Sequence, residues 1–221
     1  MDEATYKGFR NLLDSEDKEG CVRYVLSLLD RGNADIPGLY EGVLAPAARE
    51  QFCLVRERPL CIWEEHIRTS IIRTVLECCY PHLMDERRSR VGDGSRGRVI
   101  IVCPTEEYHE LGARMTADLF TLCGFDVTFV GANTPQEQIV EAAGVLQPEY
   151  VGVSVTSPYN LVAAHRTLDH LRDVRNRTNG TYTIVVGGQA FDANDKRARD
   201  IGADVLAQTF DDICDLTGSE R

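Results

Sequence analysis

"RVIIVCPTEEYHELGARMTADLFTLC", residues 98–123, decides the fold. Val99 to Cys103 are an unbroken apolar run of strand length, and from Leu111 the apolar residues return three and four apart, as on a helix. Between the two lies a turn carrying Glu106, Glu107, His109 and Glu110. A strand that hands over to a helix is the repeating unit of a parallel sheet covered on both faces.

Downstream the unit recurs. "DVTFV", "YVGVSV", "YTIVVGG" and "ADVLA" read as further short strands, and "PQEQIVEAAGVL" and "LVAAHRTLDHLRDVR" as helices between them. The expected fold class is α/β: a flavodoxin-like, Rossmann-type domain with a five-stranded parallel sheet, over residues 97–221. Ligands of such sheets bind outside the carboxyl ends of the strands, where the winding reverses. "CPTEEYHELG", "SVTSPYN" and "GGQAFD" reach that edge, so His109 stands on the functional rim.

Upstream the period is helical throughout. "KGFRNLLD", "CVRYVLSLLDRG", "PGLYEGVLAPAAREQF" and "IWEEHIRTSIIRTVLECCY" predict a helical bundle over residues 1–88, with Asp35 as an N-cap and Pro37 in the first turn behind it. "MDERRSRVGDGSRGR", residues 84–98, reads as a linker. His82, after Pro81, reads as a helix-end residue, and His165 and His170 as surface positions.

Composition narrows the function classes. With 43% hydrophobic and 27% charged residues the chain is an ordinary globular protein. A net charge of -11 argues against a phosphate-tracking surface and so against direct nucleic-acid binding. No apolar stretch has the length of a membrane span, and the acidic start lacks an apolar signal core, so a cytoplasmic location is expected. Eight cysteines, Cys53 among them, form no CxxC pair; a reduced state is expected, with Cys103 and Cys123 as small buried hydrophobes. The turn after the first strand is too bulky and too acidic for a dinucleotide loop, no Walker loop is present, and Ser154 stands where a phosphoacceptor aspartate would end the third strand.

Three short motifs then carry a resemblance. Glu107, His109 and Gly112 ("ExHxxG"), Ser154 to Thr156 ("SVT"), and Gly187 with Gly188 ("GG") resemble the DxHxxG…SxL…GG signature of cobalamin-binding domains, accompanied by "VGANTP" and "GADVL". The resemblance spans residues 97–218. It implies that cobalamin (vitamin B12) is the cofactor, and that His109 is the metal-binding residue, donating to cobalt from the lower side. It further implies that Ser154, Thr156, Gly187 and Gly188 bind the displaced nucleotide tail. A metal-bound imidazole normally gives its other N–H to a carboxylate. Glu107, one methylene longer than the family's aspartate, either reaches the ring or leaves that bond to water. Asn160 stands where many members carry a second serine, and Thr156 where they carry leucine.

The helical half is similar to the cap of cobalamin-dependent sensors and photoreceptors, through "VLAPAARE…EEH". This adds Trp63, Glu65 and His66 as cofactor-binding candidates; Trp63, His66 and Ser70 fall on one helical stripe. The resemblance implies a sensory or regulatory module that responds to the upper ligand, through a partner regulator or a change of oligomeric state. The alternative is a corrinoid methyl carrier serving methyltransferase partners, and a third reading is a cobalamin store. In neither leading case is the chain an enzyme by itself, since nothing in 221 residues resembles a catalytic barrel. Which upper group is bound (methyl, adenosyl or hydroxo) is left open.

Overall fold

The computed structural model describes residues 1–50, 60–191 and 195–220. They divide into two compact units, Met1–Ser89 and Arg90–Arg221.

The first unit is helical. α1 (Glu3–Asp14) and α2 (Lys18–Asp30) begin at Asp2 and Asp17, whose carboxylates accept from Thr5 N and Gly20 N at 2.8 Å. α3 (Ile36–Leu39) begins as expected at Asp35, which accepts from Gly38 N at 2.9 Å, with Pro37 in its first turn. The single helix expected over "PGLYEGVLAPAAREQF" is instead three segments: α3, a wider π-helical turn at Tyr40–Leu44, and α4 (Ala45–Arg49). Pro46 lacks an N–H and its ring crowds the carbonyl of Gly42, which opens the turn before it. The end of that stretch and Cys53 lie outside the described residues.

α5 (Cys61–Val91) is the longest element and overturns two expectations. It does not stop before Pro81 but runs through it, and "MDERRSRV" is its last part rather than a linker. Pro81 and Glu77, whose carbonyl loses its helical partner, both lie on the exposed face, where water can take the bond. Val75, Cys79, Leu83 and Arg87 form a buried stripe at every fourth position, hidden from a polarity reading because an arginine completes it. His82 is therefore interior to the helix, with Nε2 3.3 Å from Asp30 Oδ1. Phe9, Leu13, Val25, Leu39 and Ile72 are fully buried, each worth about 2 kcal/mol of transfer free energy.

The second unit alternates strand and helix: β1 (Arg98–Val102), α6 (Leu111–Leu122), β2 (Asp126–Gly131), α7 (Gln136–Leu146), β3 (Tyr150–Ser154), α8 (Leu161–Thr178), β4 (Thr183–Gly187), α9 (Asp195–Asp200), β5 (Val205–Leu206) and α10 (Phe210–Thr217). The five strands lie parallel in the order β2-β1-β3-β4-β5, which is the α/β class expected. β1, β3 and β4 are interior and buried along their middles; Ile100, Val102, Val151, Val153, Ile184 and Val186 belong to one core. Edge strand β2 shows an alternating pattern of exposure. Cys103 and Cys123 are buried.

Winding proceeds outward from β1 to β2 and then returns to the other side of β1 to lay down β3. The switch point lies between β1 and β3, and the loops after these two strands face each other there.

Candidate functional site

The loop after β1 turns sharply. Glu106 takes a left-handed conformation, φ +69, so that Glu107 points into the protein while Glu106 and Tyr108 stay exposed. Glu107 is completely buried. An isolated carboxylate could not be, so its donors decide the matter.

Five N–H groups converge on it. Oε1 accepts from His109 N at 3.0 Å and lies 2.6 Å from His109 Nδ1. Oε2 accepts from Thr156 N at 2.9 Å, Ser157 N at 3.0 Å and Asn160 Nδ2 at 3.1 Å, all on the loop after β3. The added methylene of glutamate thus reaches both the histidine ring and the neighbouring loop. Burial pushes the Glu107 carboxyl up, but bonds from His109, Ser157 and Asn160 outweigh it and hold the group at about 2, ionised.

An ionised carboxylate only accepts, so Nδ1 carries a proton, and a neutral imidazole held this way keeps its lone pair on Nε2. The imidazole side chain is 51% exposed, so its ring reaches the surface while its anchor is buried. A neutral imidazole with its second nitrogen tied to a carboxylate is the arrangement of a metal-ligating histidine.

The other motif residues gather along the same sheet edge. Ser154 ends β3 and pairs in register with Gly187 at the end of β4. The two glycines are demanded by the chain itself. A Cβ on Gly187 would lie 2.6 Å from the Ala207 carbonyl oxygen, and one on Gly188, at φ +103, 2.3 Å from that of Val155. Gln208 brackets Gly188, accepting from its N–H and donating to its carbonyl, each at 3.2 Å. Gly112 is the opposite case: it is exposed in the first turn of α6, and a Cβ there would meet nothing within 4 Å. Nothing in the described chain asks for glycine at that position, whereas a body approaching from outside would.

Glu110 is a loop anchor rather than a solvated charge, accepting from Ala132 N at 3.0 Å. His165 and His170 are exposed on α8, as expected. Trp63, Glu65 and His66 belong to the helical unit and are described within it. Trp63 and Ser70 are exposed beside His66, and with Glu16, Lys18, Ile67 and Ile71 they line an open cleft of about 470 Å³. Glu65 is half-buried and does not line it.

Three contributors escaped the sequence reading: Asn133, Ser157 and Gln208. Asn160 was noticed only as a departure from a serine. Ser157 acts through its main-chain N–H, which no residue type announces; Asn133 lay in plain sight within "VGANTP".

Comparison with known proteins identifies the family of the second unit. Residues 97–215 match the B12 binding domain family. A corrinoid protein of Desulfitobacterium hafniense is 25% identical over 122 residues, covering 55% of this chain and 55% of that protein. The HTH-type transcriptional repressor CarH of Myxococcus xanthus is 30% identical over 172 residues, covering 75% of this chain and 52% of the repressor. The chain thus spans about half the length of the curated relatives it matches. Among solved structures, the monomethylamine corrinoid protein of Methanosarcina barkeri superimposes with a TM-score of 0.77, covering 98% of each chain at 16% identity, a likeness of fold.

Proposed function

The chain belongs to the B12-binding domain family, and from that premise we propose that His109 is its lower donor to cobalt and that its helical unit senses the upper ligand. Its cofactor is cobalamin. When bound, cobalamin would supply a cobalt centre able to exchange ligands, and His109 would hold it from the protein's side. One imidazole is then the donor set required of the protein. His109 meets that requirement in the correct tautomer, held by Glu107 at 2.6 Å, and this contact carries the reading.

Two further observations support the fit. The open space at Gly112 admits a close approach beside the histidine. Tyr108 beside His109, Tyr159 in the turn after β3 and Val162 in the first turn of α8 leave large apolar surfaces exposed, as suits a broad macrocycle. In this reading Glu107 orients the imidazole and keeps its Nδ1 proton in place. Ser154, Thr156, Gly187 and Gly188 are the proposed neighbours of the nucleotide tail.

The sensory role is favoured by the reach of the likeness to the repressor. An alignment of 172 residues cannot be housed within Arg90–Arg221, so it takes in part of the helical unit. There Trp63 and His66 line the cleft and Glu65 follows between them; we assign these three to the upper face of the cofactor. Output through a partner protein or a change in oligomeric state belongs to the same proposal. The likeness to a corrinoid protein favours a second reading, a methyl carrier for a methyltransferase system.

The test is spectroscopic. Protein loaded with methyl- or adenosylcobalamin is compared with His109→Ala, before and after illumination. The variant should lose the signature of a lower nitrogen yet keep part of its affinity, because the remaining pocket still buries the ligand. A variant spectrum identical to that of the unmodified protein would show His109 not to be the donor.

A further inference from the structure

Glu106 is not a glycine, yet it holds φ +69, a conformation that a side chain normally disfavours. It is held from two sides. Asn133, on the loop after β2, accepts from Glu106 N through Oδ1 at 2.9 Å and donates its own N–H to the Glu107 carbonyl at 2.8 Å. Asn160, on the loop after β3, donates Nδ2 to the Glu106 carbonyl and to Glu107 Oε2, both at 3.1 Å. The Glu106–Glu107 dipeptide thus has its leading N–H, both its carbonyls and its buried carboxylate held by loops belonging to two other strands.

The clamp is itself anchored. Asn133 is left-handed at φ +50, which asparagine tolerates better than most residues. Its successor Thr134 donates N–H to the Cys103 carbonyl at 3.0 Å and Oγ1 to the Gly131 carbonyl at 3.2 Å. The loop after β2 therefore cannot slide past the loop after β1 without breaking bonds at both ends.

We infer that Asn133 is a positioning residue which, with Asn160, sets the Glu106–Glu107 turn and so presents His109 before cobalamin arrives. The inference rests on the reading of His109 as the cobalt donor. In a site built this way the cofactor meets a ready histidine and need not order the loop that carries it.

Asn133→Gly isolates the claim, because glycine keeps the left-handed backbone and the N–H to Glu107 and removes only the acceptor for Glu106 N–H. Loss of an outer support of a metal ligand commonly weakens metal binding roughly 10- to 100-fold. Asn133→Gly should accordingly weaken cobalamin binding roughly 10-fold and lower the fraction showing lower-nitrogen splitting in the electron paramagnetic resonance of the cobalt(II) form. Asn133→Asp, which keeps the acceptor, should restore both. In the cofactor-free protein the Glu106 amide should exchange slowly with solvent by nuclear magnetic resonance, and quickly in Asn133→Gly.

A rapidly exchanging Glu106 amide in the unmodified cofactor-free protein would overturn the inference. So would unchanged binding and splitting in Asn133→Gly while His109→Ala loses its nitrogen signature. If His109→Ala also keeps that signature, the donor assignment falls and this inference falls with it.

Discussion

Thr156 donates its main-chain N–H to Glu107 Oε2 at 2.9 Å, although the two residues stand 49 positions apart. The bond crosses the switch point of the sheet and joins the loop that carries His109 to the loop after β3. The candidate site is for that reason part of how the domain closes, and its residues should register in stability as well as in binding.

Glu107→Gln is the first consequence. An amide offers one acceptor where the carboxylate offers two, and it turns an NH2 toward groups that are themselves donors. Either the His109 pair or the Thr156, Ser157 and Asn160 set loses its partner. The cofactor-free protein should be destabilised by about 2–3 kcal/mol in urea unfolding. A midpoint equal to that of the unmodified chain would contradict the network.

The second concerns pH. Burial raises the folded Glu107 carboxyl, but bonds from His109, Ser157 and Asn160 outweigh it and hold the group at about 2 against an ordinary 4.5. A lowered carboxyl contributes stability that is complete above its unfolded value and vanishes as pH falls through the folded one. Stability tied to Glu107 should drain away between about pH 4.5 and about 2, on the order of 3 kcal/mol in all. The gap between the unmodified chain and Glu107→Gln should shrink when unfolding is measured at about pH 3 rather than neutral pH. Parallel pH profiles would rule this out.

Two glycines should behave oppositely. Gly188→Ala pushes a Cβ toward the Val155 carbonyl in a left-handed conformation and should cost about 2–4 kcal/mol without any cofactor. Gly112→Ala meets open space on a helix and should stabilise the cofactor-free protein by about 0.5–1 kcal/mol. The same Gly112→Ala should weaken cobalamin binding, measured by equilibrium titration. Binding that improves along with stability would mean nothing approaches α6 there.

Trp63 is 65% exposed, so Trp63→Ala should leave the melting temperature of the cofactor-free protein almost unchanged. If the helical unit covers the upper ligand, the variant should alter the rate at which light removes the alkyl group from the loaded protein. His66→Ala should change the spectrum that follows dealkylation. Photolysis and spectra identical to those of the unmodified protein in both variants would favour the methyl carrier.

The sheet was legible because its strands announce themselves. Val99–Cys103 is an unbroken apolar run, and in Val151–Val155 three valines are broken only by Gly152 and Ser154, as suits strands buried on both faces. His109 and Glu107 were legible as a pair because they sit two residues apart on one loop. Asn133 and Asn160 were not read as partners of that pair, since their bonds to Glu106 and Glu107 exist only once three loops have been brought to one edge. The full extent of α5 was missed for a different reason. Proline and a run of arginines usually mark an end, yet Leu83 and Arg87 continue a stripe begun far upstream.

Three of the five donors to Glu107 belong to the main chain: those of His109, Thr156 and Ser157. Side-chain replacement cannot delete them; only proline can, by removing the N–H. Threonine at 156, where relatives of this kind carry leucine, therefore leaves the bond to Glu107 intact. Genetic drift at positions 156 and 157 should be largely silent for the histidine's support. Among members of a library randomised at those two positions that still bind cobalamin, the lower-nitrogen signature should survive across most residue types, with proline the consistent failure.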